Sequence, residues 1–284
     1  MARPRHAVQA LILWPLAMAL AFSGDAMGQT ATVNGMTGSA ERGKGLYRTF
    51  CVGCHGVLGD GKGENGVFVI GPLQDPLPRN FTLGLFKCRS TPTGSIPLDS
   101  DLYTTIGRGI YTTYMPPWQS LTPQQRVDLV AYIKTFSSRF KEEKPDEPVK
   151  IPAETPNSAE SVKRGEELYQ KTLKCFECHG TTGHGDGPSA ATLRDNLGNP
   201  IKAFAFAEGT RFKCGSTDED LYRIFMTGLD GTPMPSFADN IKPDEAWDLV
   251  FYLRTLMSQN SKEKTMAKQL GLKPVDPNAP AGQQ

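Results

Sequence analysis

Two stretches of the chain carry the same helical stripe of apolar positions. Leu129, Val130, Tyr132 and Ile133 recur at a spacing near one turn, as do Leu249, Val250, Tyr252 and Leu253. Each stripe follows a helix-start signal. In Leu121-Thr122-Pro123, Thr122 is the candidate N-cap and Pro123 sits in the first turn; Lys242-Pro243-Asp244 stands in the same place before the second stripe. Residues 40–50 and 161–174 predict two further helices, each leading into a Cys-x-x-Cys-His motif. Gly and Pro interrupt any long element between His55 and Leu102, and period-two alternation is scarce. The pattern predicts an all-α fold of helices and loops.

The longest apolar run, Ala7–Phe22, has 16 residues and contains Pro15, short of the roughly 20 residues that span a bilayer. Arg3 and Arg5 precede it and Ala26-Met27-Gly28 follows, the order of a secretory signal. Residues 1–28 are therefore expected to be cleaved. The mature chain is expected in the periplasm, an oxidising compartment, with no mature transmembrane segment.

The rest of the chain is an internal duplication. ERGKGLYRTFCVGCHG and VKRGEELYQKTLKCFECHG each open a stretch of about a hundred residues. A Gly-rich turn follows (GDGKG, GHGDG), then Phe-Lys-Cys, then an Asp-Leu-Tyr helix start at Asp101 and Asp220. A Met-Pro turn (YMPPW, PMPSF) and the striped helix close each copy. His55 to His179 gives a period of 124 residues, which is a domain duplication rather than a solenoid. The expected layout is domain 1 over 38–140, a charged, four-proline linker over 141–160, domain 2 over 161–259 and a loose polar tail over 260–284. Domain 1 holds 11 Lys/Arg against 7 Asp/Glu and domain 2 holds 11 against 14. The near-neutral total gives no electrostatic case for nucleic acid, while the split fits two lobes that attract each other or dock to different partners.

The chemistry lies in Cys51-Cys54-His55 and Cys175-Cys178-His179. In a secreted chain this spacing reads as covalent haem attachment. Two thiols one helical turn apart can each add to one haem vinyl group, and the adjacent His then ligates the iron. A thioredoxin-like pair would need a strand–helix context, and zinc would need four closed ligands. The chain has four His. His6 leaves with the signal, His55 and His179 are committed, and His184 lies in the Gly turn, so bis-His ligation of both irons is excluded. Met115 and Met234, in the matching Met-Pro turns, are the candidate sixth ligands, and a thioether raises the haem potential. Met226 competes in copy two but aligns with Gly107 and reads as packing.

On these motifs the chain resembles the dihaem class I c-type cytochromes, two cytochrome c domains in tandem. The resemblance implies two covalently bound haem c groups. It also implies crossed first and last helices meeting at a glycine and an aromatic; Gly43 with Tyr47 and Gly165 with Tyr169 stand in that spacing, with Tyr132 and Tyr252 as partners. It further implies a loop carbonyl near a proline that receives the ligand His, with Pro72 and Pro188 as candidates. Cys88 and Cys214 occupy equivalent positions, open to an inter-domain disulfide, free buried thiols, intermolecular pairing or a ligand role. Arg79, Lys87, Arg89 and Lys213 flank them, open to pairing with haem propionates or to solvated surface charge. Trp118 and Phe237 are candidates for the haem edge.

The implied function is electron transfer between redox protein partners by Fe(III)/Fe(II) cycling, without catalysis, with docking to a membrane complex among the candidate arrangements. Rival readings are a cytochrome subunit of a larger respiratory oxidoreductase, a dihaem peroxidase and a gas sensor.

Overall fold

The computed structural model describes residues 29–69, 77–111, 113–209 and 211–259. The expected signal (1–28), the expected tail (260–284) and Pro72 lie outside the described residues. In the first half, strands β1 (Thr30–Val33) and β2 (Met36–Ser39) precede helices α1 (Ala40–Phe50), α2 (Val52–His55), α3 (Glu64–Val69), α4 (Asp99–Arg108), α5 (Pro123–Ile133) and α6 (Arg139–Glu142). The second half repeats the plan without the strands and without α-helical counterparts of α3 and α6: α7 (Ala159–Glu167), α8 (Phe176–His179), α9 (Asp218–Thr227) and α10 (Pro243–Gln259). The class is mostly α, as expected, with one addition. The β1–β2 hairpin turns through Asn34 (φ 51°) and Gly35 (φ 76°), the Asn-Gly pair that a tight hairpin turn favours, and pairs Val33 with Met36. It buries Ala31 and Val33 against α5.

In the first half α1 crosses α5, and in the second α7 crosses α10, each in contact at a glycine. A Cβ on Gly43 would collide with the Asp128 carbonyl, and one on Gly165 with the Asp248 carbonyl. The neighbouring rings meet across the crossing, Tyr47 against Tyr132 at 5.2 Å and Tyr169 against Tyr252 at 5.3 Å between centroids. An arginine one residue before each glycine grips the same carboxylate, Arg42 to Asp128 and Arg164 to Asp248. Gly43→Val should lower stability by roughly 3 kcal/mol, since an overpacked backbone contact cannot relax without separating the helices. Urea midpoints of the holoprotein check this.

Helix starts follow the local signals. Thr122 accepts from the Gln125 N–H (3.2 Å) while its own N–H donates to Gln125 Oε1 (2.9 Å). Thr217 caps α9 in the same manner. The second copy has two more residues than the first between the core tyrosine and the first motif cysteine. They are absorbed in a widened turn, Leu168–Thr172, closed by Leu173 N–H to Leu168 O at 2.9 Å, and in a left-handed Lys174 (φ 52°). The expected helix over 161–174 therefore ends its regular part at Glu167.

The halves have separate cores and a polar, covalently closed seam. Cys88 and Cys214 form a disulfide. Next to it Arg89, only 3% exposed, donates to Asp230 Oδ1 (2.8 Å) and to the carbonyls of Thr227 (2.7 Å) and Phe86 (3.1 Å). Asp230 also accepts from Thr93 Oγ1 and the Gly94 N–H. The segment between the halves bridges them as well. Val149 N–H donates to Ser90 O (2.8 Å), and the Trp247 indole donates to Pro152 O (3.3 Å).

Candidate haem sites

Each Cys-x-x-Cys-His motif is one short helix. His55 and His179 close the turn by donating their backbone N–H to the carbonyls of Cys51 and Cys175, both at 2.9 Å. The tyrosine of the helix crossing locks the motif from behind, Tyr47 OH to Gly56 O at 2.8 Å and Tyr169 OH to Gly180 O at 2.6 Å. Neither cysteine pair is oxidised. Burial pushes the Cys51 and Cys175 thiols up to about 12 and raises Cys178. Among the described residues no group of three or more His, Cys, Asp or Glu side chains is placed to hold a metal ion, whereas a closed zinc site needs four ligands.

The two imidazoles are held alike. His55 Nδ1 lies 3.1 Å from the Arg79 carbonyl, and His179 Nδ1 lies 2.9 Å from the Phe204 carbonyl. A carbonyl can only accept, so Nδ1 carries the proton and Nε2 keeps its lone pair. Burial lowers both histidines, His55 to about 4, so each ring stays neutral. Phe81 stacks on His55 at 4.4 Å and Phe206 lies 4.8 Å from His179. The accepting carbonyl thus stands 24 or 25 residues after the His. That corrects the expectation for Pro188. The chain there passes beneath the motif instead, with Ser189 N–H donating to Glu177 O at 2.8 Å.

Each motif opens onto a cavity of about 300 Å³, and the matching methionine lines the same cavity. The first is lined by Cys51, Cys54, His55 and Met115; the second by Cys175, Cys178, His179 and Met234. The other walls are mainly apolar, with Phe50, Leu102, Ile106 and Trp118 in the first and Leu221, Phe225, Phe237 and Leu249 in the second. Met226 does not line the cavity and is buried in the core. His184 is exposed, with Nδ1 2.9 Å from Thr182 Oγ1.

The methionine turns are built identically, from residues the sequence reading passed over. Thr113 and Thr232 stand two residues before the methionines. Each donates its hydroxyl to the carbonyl three residues back (Ile110 and Leu229, both 2.7 Å) and accepts the methionine N–H (3.1 and 3.2 Å). The methionine carbonyl in turn accepts from Ile110 or Leu229 N–H, both at 3.1 Å. Gly109 and Gly228 enter the turn at positive φ, and a Cβ on either would press on the turn's own backbone. The shared pattern Gly-x-x-x-Thr-x-Met was readable in both copies.

Residues 40–137 match the family described as cytochrome c, and residues 160–253 match the cytochrome c oxidase, cbb3-type, subunit III family. A chain of the reducing HAO-like protein complex of Kuenenia stuttgartiensis is 41% identical over 77% of this chain and 96% of its own, with a TM-score of 0.73. The chain belongs to the cytochrome c family. Cytochrome CL of Methylophaga aminisulfidivorans is also similar, at 16% identity over 49% of this chain and 94% of its own, with a TM-score of 0.29 too low to bear on the argument. Among curated proteins none matches.

As a c-type cytochrome the protein carries electrons, and its two domains fit two covalently bound haem c groups. The donor set supports the fit: paired reduced thiols, a neutral buried imidazole and an apolar cavity in each half. Among the described residues no helix is long and apolar enough to cross a membrane. Arg89 meets neither of its two expected roles, since its guanidinium is spent on Asp230 and carbonyls across the seam.

Proposed function

We propose that the protein is a periplasmic dihaem electron relay. Its lobes span 38–140 and 161–259, with one iron held by His55 and Met115 and the other by His179 and Met234. When bound, each haem supplies one-electron Fe(III)/Fe(II) chemistry. The residues hold that group and shield it. Cys51, Cys54, Cys175 and Cys178 anchor it, the Arg79 and Phe204 carbonyls fix the imidazole tautomer, and the Thr113 and Thr232 turns present the thioethers. Apolar walls exclude water. One observation carries the reading: the same cavity in each half is lined by the Cys-x-x-Cys-His motif and by a methionine on an identically hydrogen-bonded turn. A periplasmic setting is supported by the signal-like first 28 residues and by the Cys88–Cys214 bond, which an oxidising compartment preserves.

A second reading is favoured by the likeness to a chain of the reducing HAO-like complex: a dedicated cytochrome subunit of a larger oxidoreductase. The chemistry is unchanged and the partner differs. Co-purification with a large catalytic subunit from the native source separates the two.

Haem counting tests the core of the proposal. The purified protein should carry two haems per chain, and Cys51→Ala with Cys54→Ala should leave one. Two haems surviving that change would overturn the assignment.

A further inference from the structure

In both halves the repeated Phe-Lys-Cys segment ends a line of ring contacts that starts at the histidine. In the first half Phe81 stacks on His55 at 4.4 Å and on Phe86 at 5.9 Å between ring centroids. Phe86 stands two residues before Cys88. In the second half Phe206 lies 4.8 Å from His179 and 5.3 Å from Phe204, and Phe204 lies 5.3 Å from Phe212. Phe212 stands two residues before Cys214. Here the line also has a bonded start, since the Phe204 carbonyl accepts from His179 Nδ1. The Cys88–Cys214 bond joins the two lines, its Cα atoms 5.1 Å apart across a sequence separation of 126.

The line is dry and held in place. Phe81, Phe86, Cys88, Phe206 and Phe212 are buried. Phe212 is pinned beside the bond by backbone hydrogen bonds to and from Gly215 (2.9 and 3.4 Å). Electrons tunnel more readily along bonds and between packed rings than across gaps or water. The segment over 141–160 also joins the halves covalently, but it lines neither cavity. We propose that the two lines and the disulfide between them are the electron route from one haem to the other, running from histidine to histidine. This rests on the reading that both cavities hold haem. One electron crosses, one iron is oxidised as the other is reduced, and the sulfur–sulfur bond stays closed. The bridge then conducts as well as fastens, and the two equivalent Phe-Lys-Cys segments serve the same purpose at its two ends. Lys213 lines both cavities, so a direct crossing competes with the bridge.

The test is electron exchange within the half-reduced, intact dihaem protein. It is read by exchange spectroscopy on the haem-methyl proton resonances and extrapolated to zero protein concentration, which removes exchange between molecules. Cys88→Ala with Cys214→Ala should slow the exchange several-fold and leave both midpoint potentials in place, because neither change alters charge. Phe86→Leu, which opens the contact with Phe81, should slow it as well. Arg89→Ala loosens the same seam but keeps the bond and the rings, so its rate should hold. An unchanged rate without the bond would overturn the route and assign the crossing to Lys213. A loss in Arg89→Ala as large as that without the bond would also overturn it, since the rate would then follow the fit of the halves. Should the cysteine pair fail to fold without its bond, Phe86→Leu decides, and an unchanged rate there sinks the proposal. Fewer than two haems in the unmutated protein would instead break the underlying reading.

Discussion

Met115→Leu combined with Met234→Leu should abolish the weak near-infrared band of Met–Fe(III), while either change alone halves it. Leucine matches methionine in volume, and such swaps in a packed site usually cost under about 1.5 kcal/mol, so the fold should stand. The backbone of each turn is held by Thr113 or Thr232 and by the methionine's own N–H and carbonyl, not by the thioether, so leucine leaves every one of those bonds in place. The double variant should also show lower potentials, because a thioether ligand raises the haem potential, and its reduced form should bind carbon monoxide at two sites per chain. An unchanged spectrum would move the sixth ligand to another residue; Met226, buried away from the cavity, would need the second half to repack.

The residues that chemistry and close packing dictate were the legible ones. Cys-x-x-Cys-His fixes its own local turn, and Gly43 and Gly165 mark the only tolerable side chain where two backbones touch. Thr122 announced its helix because the cap is a local hydrogen bond. The β1–β2 hairpin was readable too, from Asn34-Gly35, but its four-residue strands are too short for a periodic signal. The widened turn at Leu168–Thr172 followed from the length difference between the copies, which an alignment shows and a helical pattern hides. What eluded the sequence was everything that depends on how distant segments meet. The carbonyls of Arg79 and Phe204 carry no side-chain signature. Arg89 and Asp230 are 141 residues apart, and a duplication says nothing about how its copies face each other. Equivalent cysteines could only pose the pairing as one of several outcomes.

The seam yields the second large effect. Arg89→Ala should destabilise the protein by about 3–5 kcal/mol, the usual cost of breaking a buried ion pair by removing one partner. The side chain of Arg89 is fully buried and that of Asp230 is 11% exposed. Burial depresses the guanidinium and Asp230 opposes the depression, so the pair is what keeps that charge tolerable inside the seam. The change also strands the Thr227 and Phe86 carbonyls, which accept from Arg89. Thr93 and Gly94 still donate to Asp230 and hold the loss to that range. Urea unfolding with the disulfide intact measures it. Asp230→Ala added to Arg89→Ala should cost much less than the two single losses combined, because each variant removes the same interaction. Additive losses would mean that the arginine acts through the carbonyls alone. The helix crossings at Gly43 and Gly165 lie within single halves, so the damage should centre on the seam.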